Sequence, residues 1–186
     1  MLVRSNRGMQ MPAALALSPE ASEAMGQLMD NRGAILIAFA QVEWFLAKLI
    51  VEASNFDQYK AIDLSFSQDA EKRAERVKKI LNVDGPFSPY SGTLIKAIDE
   101  VMTHIPLRTM SAHGLMVRPD TFELSARLHF RMYRMFKGGN LQEEKLNLTM
   151  KEYTDQSSSL TTAAREFVNI VRNIWKELNL DHLDPE

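Results

Sequence analysis

The chain has 186 residues, 45% of them apolar and 25% charged, which suits one soluble globular domain with a sizeable core. The formal net charge of −2 excludes a global field that would draw the chain onto nucleic acid or an anionic membrane, so such contacts require a local basic patch. With no cysteine there is no disulfide, thiolate metal site or thiol nucleophile, and His104, His113, His129 and His182 lack the close spacing of a zinc motif.

Residues 1–17 begin with Arg4 and Arg7, but Gln10 and Pro12 break the apolar stretch behind them, so the segment reads as a ragged, disordered leader rather than a signal peptide. Ser18-Pro19-Glu20 opens the first helix, with a capping hydroxyl, a proline at the first helical position and an acid in the first turn. That helix is expected to reach about Met29, with Gly33 either kinking it or separating it from the next. Ala34 to Ala53 is a strongly apolar helix. It contains Gln41, Glu43 and Lys48, which favour a buried helix over a membrane span.

Ser65 and Gln68 form a capping box for a third helix, whose apolar stripe is Ala70, Ala74, Val77 and Leu81. Lys72, Arg73, Arg76, Lys78 and Lys79, interspersed with Asp69, Glu71 and Glu75, read as its solvated face. Ser88-Pro89 opens a fourth helix along Leu94, Ile98, Val101 and Ile105. Pro106 either kinks it or starts a short new helix that ends at Gly114, a residue suited to the left-handed turn after a helix.

The period then changes to two. Phe122, Leu124, Ala126, Leu128, Phe130 and Met132 alternate with polar residues, the pattern of a half-buried strand over Phe122–Phe136. The even positions should face the protein, with a bulge or strand end near Tyr133. Gly138-Gly139-Asn140 turns the chain, and Lys145–Thr149 returns as the second strand of an antiparallel hairpin. Thr149 and Glu152 then cap a last helix with a core stripe of Leu160, Ala164, Phe167, Val171, Ile174 and Leu178. The expected architecture is mainly α: a bundle of four to five helices with one inserted β-hairpin at about 120–149, in a single domain over 18–180 with a tail at 181–186.

Polar residues in apolar surroundings mark the candidate site. At about 100° per residue, Gln41, Lys48 and Glu52 share one face of their helix, whereas Glu43 lies about 200° from Gln41. A carboxylate on the core-facing side requires a cationic partner or a proton. The segment Pro106-Leu-Arg-Thr-Met-Ser-Ala-His-Gly114 supplies candidates in Arg108 and His113, with Thr109 and Ser111 beside them. An arginine fork can hold a phosphate through two hydrogen bonds, and a histidine can exchange a proton near neutral pH. Five residues turn a helix by about 500°, so Arg108 and His113 diverge by about 140°. They converge on one atom only if the helix unwinds at Gly114 or a second chain brings its own pair. Arg127, His129, Arg131 and Tyr133 share a strand face that could track a phosphate backbone, although the pattern favours an ordinary solvent-facing hairpin.

An arginine, four residues, a histidine and a glycine, following a glutamate-bearing apolar helix, resemble the HEPN domain superfamily. Its hallmark is an arginine and a histidine with four to six residues between them. The resemblance spans most of the chain and implies a dimeric bundle with paired motifs facing each other across the dimer cleft. Catalytic members are metal-independent endoribonucleases without cofactors, and others are binding modules. Carried over, Arg108 and His113 would be catalytic, with Glu43, Thr109 and Ser111 supporting them. The implied partners are RNA, a second copy and an antitoxin-like protein, in a cytoplasmic toxin or defence ribonuclease with no membrane role. Thr109 departs from the pattern, standing where members often carry Asn, Asp or His, and this bears on catalysis more than on fold. The competing expectation is a non-catalytic helical module that binds a protein or nucleotide.

Overall fold

The computed structural model describes residues 18–65, 67–117, 123, 125–135 and 139–180. The leader at 1–17, the tail at 181–186, and the strand positions Phe122, Leu124 and Phe136 lie outside the described residues. The protein is mainly helical, with five α-helices and a small three-stranded antiparallel sheet among the described residues.

Helix α1 spans Pro19–Ala53 without interruption. The Ser18 side chain accepts from the Ala21 amide, as its sequence requires. Gly33 does not divide the helix, because apolar contacts on both sides of it outweigh the roughly 1 kcal/mol that glycine costs there. Two positions expected on its solvent face behave otherwise. Glu52 is buried, with Asn55 donating to its carboxylate, and Lys48 lies over the Trp175 ring at 4.0 Å.

A 3-10 turn at Asp57–Tyr59 leads towards α2 (Ala70–Leu81). The cap of α2 is Asp69, which accepts from the Glu71 and Lys72 amides, rather than the expected Ser65–Gln68 box. A carboxylate beside the first turn meets both the free amides and the positive end of the helix dipole. Ser65 is held instead by Arg76. Another 3-10 turn at Ser88–Tyr90 precedes α3 (Ser91–Met102), so Ser88-Pro89 opens that turn and not the α-helix itself.

Pro106 falls in the first turn of a separate helix, α4 (Ile105–His113), which resolves the choice left open by the sequence. The chain leaves α4 at Gly114 with φ −75° and ψ 137°, so the left-handed turn is not formed. Glycine is required there for space: a Cβ would stand 2.5 Å from the Met110 carbonyl oxygen. Gly114→Ala should therefore cost about 1–3 kcal/mol by forcing the end of α4 to shift. Gly92→Ala in α3, whose added Cβ meets nothing within 4 Å, should be neutral or stabilising. Urea titrations of the two variants check this, and equal stabilities would remove the steric argument.

Strand β1 (Leu115–Val117), which the sequence did not announce, pairs with β2 (Arg127–Met135), and β2 pairs with β3 (Leu141–Thr149). Ala126, Leu128 and Phe130 are buried and Met132 is half-buried, while Arg127, Arg131 and Tyr133 are exposed, so the predicted alternation holds. No bulge falls near Tyr133, since pairing continues unbroken to Met135 and Leu141. The hairpin runs past the body of the protein, and its tip needs only backbone pairing, not a buried face. The expected lone hairpin is thus a three-stranded sheet, with its second strand beginning at Leu141 rather than Lys145.

Helix α5 (Met150–Glu177) follows β3 directly, and Thr149 and Glu152 form the predicted capping box. Helices α1 and α5 pack along each other, α3 lies on α5, α2 on α1, and α4 fits between α1 and the sheet. The core includes Phe39, Leu46, Leu94, Ile98, Phe130, Leu160, Phe167 and Trp175, each buried.

Candidate functional site

Glu43 projects from α1 between two arginines. Its Oε1 accepts from Arg108 Nη2 of α4 at 3.0 Å, and its Oε2 faces Arg73 Nη2 of α2 at 3.1 Å. The Glu43 side chain is 20% exposed, so the expectation of a largely buried group is met only in part, while its predicted reach to Arg108 is present. The two cations differ in setting: the Arg73 side chain is 8% exposed and that of Arg108 31%. Each charge offsets the desolvation of the other, and the exposed edge of Arg108 remains available to solvent. Phe39 lies beneath Arg108, with its ring centre 5.7 Å from the guanidinium carbon.

Arg73 is the residue that sequence reasoning missed. It was grouped with a solvated basic face, yet it is buried. The signal lay in its spacing: it follows Ala70 by three residues and precedes Val77 by four, which places it on the apolar stripe of α2.

Arg108 and Thr109 line a cleft of about 590 Å³ between α4, the start of α2 and the hairpin. Arg134, Glu144 and Lys145 of the hairpin complete its far wall, and Glu43 lies within it. These hairpin residues are a second omission of the sequence reading: Arg134 and Glu144 lie on the face opposite the one it singled out, and Lys145, paired with Arg131, lies on the same face but on the neighbouring strand. The cleft mixes signs. Arg134 lies 3.6 Å from Glu144, Asp69 and Glu71 stand at the α2 end, and Lys145 bonds Glu143 at 2.8 Å. The Lys145 bond holds the Glu143 carboxyl below the usual carboxylate range. An incoming phosphate would meet several cations, each beside a carboxylate.

The remaining predicted residues lie elsewhere. Ser111 is fully buried behind α4, its hydroxyl 3.1 Å from that of Tyr153, and its carbonyl accepts from Arg32 Nε at 2.6 Å. Burial pushes the Tyr153 phenol above its ordinary value, against the opposing pull of the Ser111 hydrogen bond. Ser111 is thus a tie between α4, α1 and α5 rather than a cleft residue. His113 is exposed at the last position of α4 and does not line the cleft with Arg108. Arg127, His129, Arg131 and Tyr133 do share one sheet face, but none of them lines the cleft. His129 Nδ1 is 2.7 Å from Asn147 Oδ1, and Arg131 lies 3.8 Å from Glu143.

Among the described residues there is no group of three or more His, Asp or Glu side chains placed to hold a metal ion. No protein-family model, curated protein or solved structure matches the chain.

Proposed function

We propose that the chain is a HEPN-like helical-bundle protein that acts on or binds RNA, with Arg108 as its phosphate contact. The observation that carries this reading is the Glu43–Arg108 bond of 3.0 Å, which fixes the guanidinium at the cleft with one edge open. In a catalytic version, the 2′-hydroxyl of the RNA attacks the adjacent phosphorus and the 5′-oxygen leaves. Arg108 stabilises the developing charge on the phosphate. His113 moves the proton lost by the 2′-hydroxyl or gained by the leaving oxygen. The product is a 2′,3′-cyclic phosphate, and the scheme calls for no metal. Because His113 is outside the cleft of its own chain, this version needs a homodimer in which one copy's His113 meets the other's Arg108. The associated expectations are a toxin or defence role, a cytoplasmic setting and an antitoxin-like protein partner.

A second reading is a binding module without catalysis, for a protein or a nucleotide. It is favoured by the separation of His113 from the cleft and by the carboxylates that accompany each cleft cation. One experiment separates the two. Single-stranded RNA is incubated in EDTA with the wild type, Arg108→Ala and His113→Ala, and both cleavage and retention are measured. Cleavage lost by at least tenfold in both variants is the catalytic outcome. Retention that falls only in Arg108→Ala, with no cleavage by any form, assigns the binding module. Neither binding nor cleavage by the wild type would overturn the RNA reading.

A further inference from the structure

The long helices α1 and α5 lie side by side, and one flank of the pair joins an apolar row to a cationic one. On α1, Ile37 at 64%, Trp44 at 43% and Val51 at 61% exposure stand seven residues apart. At about 100° and 1.5 Å per residue they form a straight row of about 21 Å, and with Gln41 and Lys48 they fall within about 80° of arc. The opposite side of α1, through Val42, Leu46 and Leu49, belongs to the core. On α5, Arg165 and Arg172 are exposed and are likewise seven residues apart. With Ile37, Gln41, Thr161 and Asn169 they line a groove of about 360 Å³ between the two helices.

The charge of this flank is one-sided. Over 31–51 the sole acid is Glu43, which faces Arg73 and Arg108 on another side of α1. Over 157–176 the sole acid is Glu166, which lines the space between α3 and α5 instead. Among the described residues Arg165 and Arg172 have no carboxylate partner, whereas Arg108, Arg134 and Lys145 of the cleft each sit beside one. The Arg172 guanidinium rests on Phe45, its carbon 5.8 Å from the ring centre. Lys48 folds over Trp175 at 4.0 Å and Trp44 at 5.1 Å, which adds a third cation at the middle of the apolar row.

We propose that this flank binds an anionic phospholipid surface, with Ile37, Trp44 and Val51 at the boundary between headgroups and acyl chains and Arg165 and Arg172 on lipid phosphates. The aliphatic side chains decide the occupant. Ile37 and Val51 gain by leaving water at a lipid boundary, whereas a nucleic-acid backbone offers nothing apolar to cover them. A tryptophan in mid-row suits that boundary, where its ring is covered and its N–H stays wet. Each arginine beside the row can lay its stem on apolar surface and direct its fork at phosphate oxygens. An 18-residue window of α1 with mean hydropathy 1.9 suffices by length and composition to cross a bilayer, but 44% of it is buried within the protein. Glu43 is also tied to two arginines, so α1 lies along the surface and does not span it. With a net charge of −2 such a contact requires a local basic patch, and α5 provides it. The proposal departs from the expectation of no membrane role, and it stands whether or not the cleft binds RNA.

The full chain should float with vesicles of phosphatidylcholine and phosphatidylserine, and it should be released by added salt or when phosphatidylserine is left out. Arg165→Gln combined with Arg172→Gln should weaken binding roughly twentyfold, at about fivefold for each cation near an anionic surface. Ile37→Ser should weaken it as well, and far-ultraviolet circular dichroism should be unchanged in both variants. Trp175 is fully buried and Trp44 is not, so a blue shift of tryptophan emission on the vesicles reports Trp44. Trp44→Phe should keep the binding and lose the shift. A full chain that stays free of the anionic vesicles overturns the proposal, whether residues 1–17 or a second copy covers the flank. Binding that survives the double glutamine variant or Ile37→Ser, or that brings no blue shift, puts the lipid on another surface and overturns this site. Single-stranded RNA retained through Arg165 and Arg172, without vesicle binding, assigns the flank to nucleic acid and overturns the lipid reading.

Discussion

Glu43→Ala should lose about 3 kcal/mol of stability, near the lower end of the range for breaking a buried ion pair. The variant would leave Arg73 almost fully enclosed without the carboxylate that faces it at 3.1 Å. Arg108 would lose its 3.0 Å contact as well, but at 31% exposure water compensates it in part. Reciprocal substitutions should therefore rank in order: Arg73→Met should be tolerated better than Glu43→Ala, because it removes the buried charge together with its desolvation cost. Guanidinium titration measures the ranking. A loss below about 1 kcal/mol for Glu43→Ala would mean that solvent screens the whole cluster, and the cleft would no longer rest on a fixed Arg108.

Trp175→Ala should cost about 3–5 kcal/mol, the usual loss for a large aromatic side chain truncated in a core. Trp175 is fully buried, stacked on Phe45 at 5.1 Å between ring centres, with Trp44 edge-on at 6.2 Å. Its loss would open a cavity where α5 meets α1. Trp175→Phe should cost much less. Among the described residues the indole N–H has no hydrogen-bond partner, so phenylalanine removes an unsatisfied buried donor while keeping most of the ring contact. Thermal denaturation of the two variants tests the contrast. Similar losses would show that phenylalanine does not keep the ring contact, and would overturn the account of the site given by packing and the orphan donor.

Periodicity made the helices legible. The stripe Leu160, Ala164, Phe167, Val171 and Ile174 is buried as expected, and the change from a period of three to four to a period of two located β2. Caps were less secure, since Asp69 and Ser65 both suit a helix start and only the fold decides which of them meets free amides. Strand β1 was invisible because three residues carry no period, and it exists through pairing with β2. Of the candidate site, the Glu43–Arg108 contact followed from one carboxylate on the wrong face of a helix. Arg73 was hidden by its charged neighbours, whose abundance suggested a solvent face. The cleft walls at Arg134 and Lys145 could not be read at all, because they depend on how the hairpin lies across α4 and α2.

Thr149 ends the β2–β3 ladder, where it pairs with Arg127, and in the same position caps α5. No linker residue separates strand from helix, and this sets where the chain can change length. One residue inserted at this junction must slip β3, turning its side chains to the opposite face, or rotate α5 by about 100° and lift Tyr153 from Ser111. Either slip would be felt at both ends of α4. An insertion beyond the last pair of the ladder, Met135 and Leu141, leaves both the β2–β3 register and the start of α5 unchanged. Variation in length among natural or engineered forms of this fold should therefore collect there, with Thr149 as the fixed point from which both β3 and α5 are measured.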